Sequence, residues 1–287
     1  MMQKNLLQDA PRRVVVVNPT GRYASAQVAA MRAAGTSLVA GIAPGRGGTS
    51  QDGLPLLDDY SQLDAPADAA VLYTPPDGVL DAVRGAIAAR IPLIVAAAEY
   101  VPVQDSLKAA QEARAAGCWL VGPNTLGLCI PGRTLLGSIA PEFCRPGHVA
   151  LLCRSGTLTL ALARLLTEAG IGQSAVIHMG GDLVIGRNPH EYLPMLAADP
   201  GTRAVLYCGE LGGDKEYALA EALPTLGKPL VALVMGRHAP PGTRMGHAGA
   251  LAGAERETAA AKLAALAQAG ALAVARPEDA VAALAGL

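Results

Sequence analysis

The sequence predicts an α/β protein built from two doubly wound, parallel-sheet domains. Short apolar runs rich in β-branched residues alternate with Ala-rich helical segments along the 287 residues. The runs are continuously apolar rather than alternating in polarity, which is typical of strands buried on both faces of a parallel sheet. Ten such runs occur in the chain. Because five strands with their crossover helices complete one doubly wound domain, ten predict two.

The predicted elements follow one another in a regular order. In the first half, the strands are 14–17, 37–42, 70–73, 93–97 and 119–121, and the helices are 24–34, 78–89 and 103–116. In the second half, the strands are 148–153, 174–179, 204–208, 230–235 and 271–275, and the helices are 158–169, 192–198, 217–226 and 257–269. The periodicity breaks in 141–147, so we predict domains at 1–145 and 146–287. Each half has the common size of a domain.

Composition excludes several classes of function. The formal net charge is −1 and aromatic residues make up 3% of the chain, which argues against nucleic acid and anionic membranes as partners. The apolar runs are too short to span a bilayer. Residues 1–13 lack the apolar segment of a secretory signal, so we expect a cytoplasmic protein. The five cysteines are scattered and are interpreted as buried thiols: Cys118, Cys129, Cys144, Cys153 and Cys208.

The segments after the first-half strands predict a phosphate-binding crevice, because ligands of doubly wound sheets lie at the carboxyl ends of the strands. Gly-rich residues 44–49 surround Arg46, whose guanidinium suits a phosphate. The alternative for residues 44–49 is a flexible surface turn. The alternative for the residues after the first strand is a plain strand–helix turn. The candidate residues of this crevice are Thr20, Gly21, Arg22, Arg46, Pro75, Ala97, Ala98 and Glu99.

The second half carries the residues suited to covalent chemistry. Ser155, Gly156 and Thr157 follow a predicted strand and open a helix, which makes an anion site unless they are an ordinary helix cap. His247 lies in a Gly-rich stretch, and Glu210 follows another strand. If Glu210 meets His247, the carboxylate orients the imidazole and leaves its other nitrogen nucleophilic. The remaining histidines are interpreted as structural or exposed, with His190 and Arg187 as a less favoured alternative pocket.

Taken together, the motifs resemble one known family. They are 45–49, 122–124, 154–159, 180–182, 209–213 and 244–250. Their order and spacing are similar to those of the succinyl-CoA synthetase (succinate–CoA ligase) α subunit. The resemblance runs from about Val14 to the end of the chain.

The resemblance implies a CoA-binding Rossmann-like domain followed by a flavodoxin-like ligase domain. It implies that His247 is phosphorylated, that Glu210 orients it, and that Ser155 and Thr157 hold the phosphate. Arg46 stands where the family has a Lys against a CoA phosphate. The other CoA contacts implied are those of the crevice above, and the acid substrate is assigned to Asn124, Leu160 and Gly181.

The family's reaction implies a partner subunit. A nucleoside triphosphate phosphorylates the histidine, the phosphoryl group passes to a carboxylate, and the CoA thiol then displaces phosphate. ATP or GTP with Mg²⁺ binds to an ATP-grasp β subunit, in an αβ or α2β2 complex. No metal ligand is expected on this chain itself.

Departures from the family pattern concern the acid and the first CoA loop. Leu160 stands where the family has a Tyr associated with substrate, and residues 22–27 differ from the family's first loop. We therefore predict an acid–CoA ligase whose small carboxylic acid is not necessarily succinate. A non-catalytic CoA- or nucleotide-binding regulatory module is the alternative. An NAD-dependent dehydrogenase is disfavoured because no G-x-G-x-x-G with a later acidic residue follows the first strand.

Overall fold

The computed structural model describes residues 7–240, 251 and 253–287. The described chain divides into two compact units. The N-terminal unit contains Ala10–Pro141 together with the short segment Val184–Arg187. The C-terminal unit contains the described residues of 142–183 and 188–287, with residues 7–9. The predicted domain limits, 1–145 and 146–287, stay a prediction. They differ from the two compact units in the segment Val184–Arg187, which belongs to the N-terminal unit.

The N-terminal unit contains a parallel sheet with one short antiparallel edge strand. Its strands are β1 (Val14–Val17), β2 (Leu38–Ile42), β3 (Ser50–Gln51), β4 (Leu54–Leu57), β5 (Ala69–Leu72), β6 (Leu93–Ala96) and β7 (Trp119–Val121). Its helices are α1 (Arg22–Ala33), α2 (Val79–Ala88) and α3 (Val103–Ala115). The strand order is β3-β4-β2-β1-β5-β6-β7. The six parallel strands thus follow the Rossmann order, in which the chain changes direction between β1 and β5.

Sequence pattern explains the core of this sheet. Every residue of β1, β5 and β6 is buried, as expected for strands covered on both faces. Two strands that the sequence did not predict, β3 and β4, are short and lie in a segment with Pro and Gly. They extend the sheet beyond β2.

A second unpredicted feature is a β-hairpin, β8 (Gly127–Ile130) and β9 (Thr134–Gly137). Gly127 of β8 is paired with Gly137 of β9. A Cβ added to Gly127 would lie 1.9 Å from the carbonyl oxygen of Leu136. The buried Thr36 hydroxyl donates to the carbonyl of Leu135 at 2.7 Å. Contacts distant in sequence therefore hold this hairpin, which explains why the local pattern did not predict it.

The C-terminal unit contains five parallel strands. They are β10 (Pro146–Cys153), β11 (Gln173–His178), β12 (Ala204–Glu210), β13 (Leu230–Met235) and β14 (Leu272–Val274). The helices are α4 (Gly156–Glu168), α5 (Leu193–Ala198), α6 (Lys215–Ala222), α7 (Ala259–Gln268) and α8 (Pro277–Ala285). The order β14-β13-β12-β10-β11 is that of flavodoxin-like sheets, and the chain changes sides between β10 and β12.

These two sheets confirm the predicted α/β class, and they correct three details. β12 continues to Glu210, two residues beyond the predicted end. The predicted helix 217–226 starts earlier, at Lys215, and ends at Ala222, before a 3-10 turn that contains Pro224. Helix α8 was not predicted, although Pro277 at its first position and two acidic residues in its first turn are ordinary start signals.

The cysteines of the structure are free thiols, as the sequence predicts. Cys118, Cys129, Cys153 and Cys208 are buried, Cys144 is half-buried, and all five are free thiols. Burial raises the pKa of the Cys118 thiol. In the part of the chain that the structure describes, no helix is both long and apolar enough to cross a membrane.

Candidate functional site

The first candidate site lies where the chain changes sides in the C-terminal sheet. The strand ends of β10 and β12 are neighbours there, and α4 begins immediately after β10. Ser155 is the N-cap of α4, and its hydroxyl accepts from the amide of Leu158 at 3.5 Å. The first turn contains no acidic residue. The N-terminus of this helix, with Gly156 and Thr157 in its first turn, is therefore suited to an anion.

Arg154 directly precedes this helix end and is buried. Its Nε donates to the carbonyl of Gly180 at 2.9 Å, and its Nη2 donates to the carbonyl of Asp182 at 2.8 Å. The same Nη2 lies 3.1 Å from Oε1 of Glu210. The guanidinium of Arg154 is therefore engaged with protein groups.

Glu210 is the last residue of β12 and is buried. Gly209 precedes it in a confined position, since a Cβ there would lie 2.5 Å from Oε1 of Glu216. Gly212 and Gly213 follow, both with positive φ, and turn the chain into α6. The structure thus places the predicted carboxylate beside Arg154, at the strand end next to the Ser155 loop.

A buried network that the sequence analysis missed supports the end of β12. Nζ of Lys262 lies 2.6 Å from Oε2 of Glu216, and the Tyr207 hydroxyl donates to Oε1 of that carboxylate at 2.8 Å. Lys262 also donates to the carbonyl of Glu210 at 2.9 Å and to that of Gly212. Burial and the Glu216 charge raise the pKa of Tyr207. The one available signal was a single charged residue, Lys262, within the Ala- and Leu-rich α7.

Lys215, at the first position of α6, contacts the segment that follows β11. Its Nζ donates to the carbonyl of Leu183 at 2.7 Å. Burial, and next the charge of Arg154, lower the pKa of Lys215 to about 8. Gly181, one of the predicted substrate residues, is buried two residues before Leu183.

The remaining predicted residues of this unit are placed as follows. Leu160 is half-buried in the first turns of α4. His247 lies outside the described residues, so its meeting with Glu210 stays a prediction. His178 is buried, and its Nε2 lies 3.1 Å from the carbonyl oxygen of Arg154, in keeping with a structural histidine.

The second candidate site lies at the change of direction in the N-terminal sheet. Asn18, directly after β1, has φ of 57° and donates from Nδ2 to the carbonyl of Tyr73, directly after β5, at 3.1 Å. Gly21 is the N-cap of α1, no atom lies within 4 Å of a Cβ built there, and the first turn holds no acidic residue. Thr20 precedes this cap and Arg22 is exposed at its first helical position. These features fit a phosphate group at the N-terminus of α1.

The loop around Arg46 has a supporting carboxylate that the sequence analysis did not identify. Asp58 accepts from the amide of Gly47 at 2.9 Å, and a Cβ on Gly47 would lie 2.3 Å from this carboxylate. The Thr49 hydroxyl donates to the carbonyl of Arg46 at 2.7 Å. Arg46 itself is exposed, so its charge is presented to solvent after β2.

The other predicted residues of this unit also lie at the carboxyl ends of strands. Pro75 is exposed after β5, and Ala97 follows β6 and donates from its amide to the carbonyl of Leu72 at 3.1 Å. Ala98 accepts from the amide of Asn124 at 2.7 Å, and Glu99 is exposed beside it. The predicted crevice residues therefore share one edge of this sheet.

Two buried hydroxyls at the same edge favour a ligand there. Oη of Tyr73 and Oγ1 of Thr74 are buried, and neither has a hydrogen-bond partner among the described residues. Burial raises the pKa of Tyr73. Because buried polar groups are normally paired, a ligand with polar atoms fits this edge.

The alternative pocket at Arg187 stays a prediction, and the structure shows two protein groups that its guanidinium contacts. The guanidinium of Arg187 stacks on the Trp119 ring at 4.8 Å and donates to the carbonyl of Cys118 at 2.8 Å. Both partners belong to the same unit as Arg187. This side chain is held within the N-terminal unit by packing.

Comparisons with known proteins match both units. The CoA-binding domain family matches residues 9–100, and the CoA-ligase family matches residues 152–272. The chain is 41% identical to a succinate–CoA ligase [ADP-forming] subunit alpha 2 of Archaeoglobus fulgidus, over 91% of this chain and 92% of the relative. It is 38% identical to an ADP-forming sulfoacetate–CoA ligase subunit of Bilophila wadsworthia, over 88% of this chain and 89% of the relative.

A solved structure is similar over nearly the whole chain. It is the ATP citrate lyase of Methanothrix soehngenii in complex with citrate and coenzyme A, with a TM-score of 0.83 and 28% identity. The match covers 94% of this chain and 48% of the lyase chain. The chain therefore spans about half the length of that solved protein.

Proposed function

Because the chain belongs to the family of succinate–CoA ligase α subunits, we propose that it forms an acyl-CoA from a small carboxylic acid, CoA and a nucleoside triphosphate. The reaction runs through phosphorylated His247. The observation that carries the proposal is the Arg154–Glu210 pair beside the N-terminus of α4, at the point where the C-terminal sheet changes direction. A carboxylate and an anion site at neighbouring strand ends suit a histidine that accepts and releases a phosphoryl group.

His247 takes the phosphoryl group from ATP or GTP, which an ATP-grasp β subunit binds with Mg²⁺. The carboxylate of Glu210 accepts a hydrogen bond from the N–H of the neutral imidazole, which fixes the tautomer, and the lone pair of the other nitrogen attacks phosphorus. Ser155, Gly156 and Thr157 hold the transferred group through the amides at the start of α4. The phosphoryl group then passes to the carboxylate of the acid, and the CoA thiol displaces phosphate to leave the thioester.

CoA is assigned to the N-terminal unit. The open N-terminus of α1, the exposed Arg22 and Arg46, and the buried Thr74 hydroxyl suit the phosphates and polar groups of such a ligand. We place the complex, αβ or α2β2, in the cytoplasm.

The identity of the carboxylic acid substrate is not selected by overall similarity to the relatives. Leu160 offers no hydroxyl to a substrate, and we assign the acid to contacts with Leu160 and Gly181 of the C-terminal unit. Relatives that are 41% and 38% identical carry the names of a succinate and a sulfoacetate ligase, so overall identity does not select the acid. We therefore propose a small carboxylic acid that is identified by discharge of the phosphoenzyme.

The test uses the chain co-expressed and purified with its β subunit, and ATP labelled at the γ position. We expect acid-labile, base-stable label on this chain in the wild type. His247→Asn abolishes the label and Glu210→Gln slows its formation. His238→Asn is the matched control, because His238 is exposed, and it labels as the wild type does.

Discharge then identifies the substrate. Succinate, sulfoacetate and other small acids are added with CoA, and the loss of label and of free thiol is followed. Label that persists in His247→Asn contradicts the phosphohistidine. A wild-type complex that binds CoA but takes no label supports the non-catalytic CoA-binding module instead.

A further inference from the structure

We propose that Arg154 is a positioning residue that sets the Glu210 carboxylate and the Gly180–Asp182 segment in one fixed geometry. The proposal rests on the proposed function, since both elements serve it. One guanidinium contacts the carbonyls of Gly180 and Asp182 at 2.9 and 2.8 Å and the carboxylate of Glu210 at 3.1 Å. The orientation of the carboxylate and the position of the segment therefore depend on one side chain.

The place of Arg154 in the sheet explains why one side chain reaches both elements. Arg154 follows β10, which lies between β11 and β12. Gly180 and Asp182 follow β11 on one side, and Glu210 ends β12 on the other. Among the strands that the structure describes, no other has both of these strands as neighbours.

The main chain of Arg154 is held as firmly as its side chain. Its amide donates to the carbonyl of Cys208 at 3.0 Å, and Nε2 of His178 lies 3.1 Å from its carbonyl oxygen. The guanidinium therefore projects from a backbone that is fixed to both neighbouring strands.

Burial makes the arrangement specific for arginine. The side chains of Arg154 and Glu210 are 5% and 10% exposed. A buried cation must keep its partners, and the planar guanidinium offers several donors in fixed directions. A lysine at this position has one nitrogen and does not bridge two carbonyls and a carboxylate in the same way.

The segment after β11 is also held at a third carbonyl. Lys215 donates to Leu183, one residue beyond Asp182. Gly181 therefore lies between two carbonyls held by Arg154 and close to a third held by Lys215. A change at Arg154 moves Gly181 and the carboxylate of Glu210 together.

The experiment uses the complex with the β subunit and compares Arg154→Gln, Arg154→Lys, Glu210→Gln, the double variant R154Q/E210Q, and Arg164→Gln. We expect Arg154→Gln to slow phosphorylation of His247 by about a hundredfold, which is the scale of a 1 Å misplacement. Arg154→Lys is slowed by about tenfold or more, since the charge is kept but the fork is lost. Arg164→Gln labels as the wild type does, because Arg164 is exposed on the surface of α4, where it pairs with exposed Glu168 and lies over the Phe143 ring.

The double variant separates positioning from a purely structural role. If Arg154 acts through Glu210, R154Q/E210Q is within about threefold of the slower single variant. Independent effects multiply instead. As a readout besides activity, we expect hydrogen exchange of residues 180–183 to rise in Arg154→Gln and to stay unchanged in Arg164→Gln.

Three results overturn the proposal: an Arg154→Gln rate within about threefold of the wild type, rates that multiply in the double variant, or unchanged exchange of 180–183. If Arg154→Gln does not fold, Arg154→Lys takes its place. Its labelling rate and its hydrogen exchange of residues 180–183 are then compared with the wild type in the same way. A wild-type complex without label contradicts the proposed function, and the exchange measurement then decides whether Arg154 holds the segment.

Discussion

Nζ of Lys262 and Oε2 of Glu216 are 2.6 Å apart, and both side chains are 1% exposed. The pair joins α7 to α6, and the Lys262 ammonium also binds the carbonyls of Glu210 and Gly212. The Tyr207 hydroxyl donates to the same carboxylate from within β12. Three elements of the C-terminal unit are therefore tied together directly behind the predicted catalytic carboxylate.

Removal of one member of this network is expected to destabilise the C-terminal unit. Lys262→Met leaves the Glu216 carboxylate buried without its cation, which costs about 3–5 kcal/mol in the free energy of unfolding. Lys262→Met combined with Glu216→Leu is expected to recover part of that loss, because no uncompensated charge remains. Urea unfolding of the purified chain measures both.

Lys108→Met serves as the control, since Lys108 is exposed on α3. Its unfolding free energy is expected to change by less than about 0.5 kcal/mol. A loss below about 1 kcal/mol in Lys262→Met contradicts the importance given to the buried pair.

The lowered pKa of Lys215 predicts a pH dependence of stability. In the folded state this pKa is about 8, against the ordinary value of 10.5. Between these values the unfolded chain holds a proton that the folded chain has released, so stability rises with pH across this window. Below pH 8 the cost of the buried charge is present in full.

Comparison of the wild type with Lys215→Met isolates the contribution of Lys215, because all other titrating groups are present in both proteins. Tyr207, whose pKa is raised, contributes the opposite slope, since its neutral form is favoured by the fold. The difference in melting temperature between wild type and Lys215→Met is expected to shift in favour of the wild type from pH 8 to pH 10.5. A difference that is constant with pH contradicts the lowered pKa.

Gly21 is expected to matter for CoA and little for the fold. Its φ is −66°, which Ala adopts, and a Cβ meets no atom within 4 Å. Gly21→Ala is expected to change the unfolding free energy by less than about 1 kcal/mol. It weakens CoA binding, because the methyl group occupies the space where a phosphate approaches the amides of α1.

Gly41→Ala provides the opposite behaviour. A Cβ there would lie 2.6 Å from Cγ of Pro19 and 2.8 Å from Cδ2 of Leu56, so we expect a loss of stability. Overpacking of this kind costs about 1–3 kcal/mol. Calorimetric titration with CoA and thermal unfolding of both variants separate binding from folding. Unchanged CoA affinity in Gly21→Ala contradicts the assignment of this helix end.

Arg46 is expected to act on CoA through its charge. Arg46→Ala weakens CoA binding by about fivefold at low salt, a typical value for an exposed ion pair, and the difference shrinks as salt is raised. Arg46→Lys keeps most of the affinity. Arg90→Gln is the control, because Arg90 is exposed and precedes β6, at the amino ends of the parallel strands rather than at their carboxyl ends.

Titration with CoA and dephospho-CoA checks this prediction. If Arg46 binds the 3′-phosphate, the effect of Arg46→Ala disappears with dephospho-CoA. If it binds the pyrophosphate, the effect is equal for both ligands. Equal affinities of wild type and Arg46→Ala for CoA contradict a contact with either phosphate.

Local sequence was sufficient to predict two turns of the candidate sites, although the roles of their residues stay predictions. The Ser155 turn and the Gly21 turn each join a buried strand to a helix, and both signals lie within a few neighbouring residues. Asp58, which supports the Arg46 loop, was missed because it lies 11 residues beyond its partner Gly47. Lys262 was missed for the same reason, since it meets Glu210 across 52 residues of sequence.

The sequence by itself determined the α/β class and the order of the ten strands and the seven helices that it predicted. It did so because continuous apolar runs, helical periodicity and Gly-containing turns are local properties of the chain. Only the tertiary structure decided that the guanidinium of Arg154 turns inward to Glu210 and that a lysine is buried against Glu216. Those outcomes depend on which strands become neighbours, since a charge is buried only where the fold brings a distant partner within contact distance.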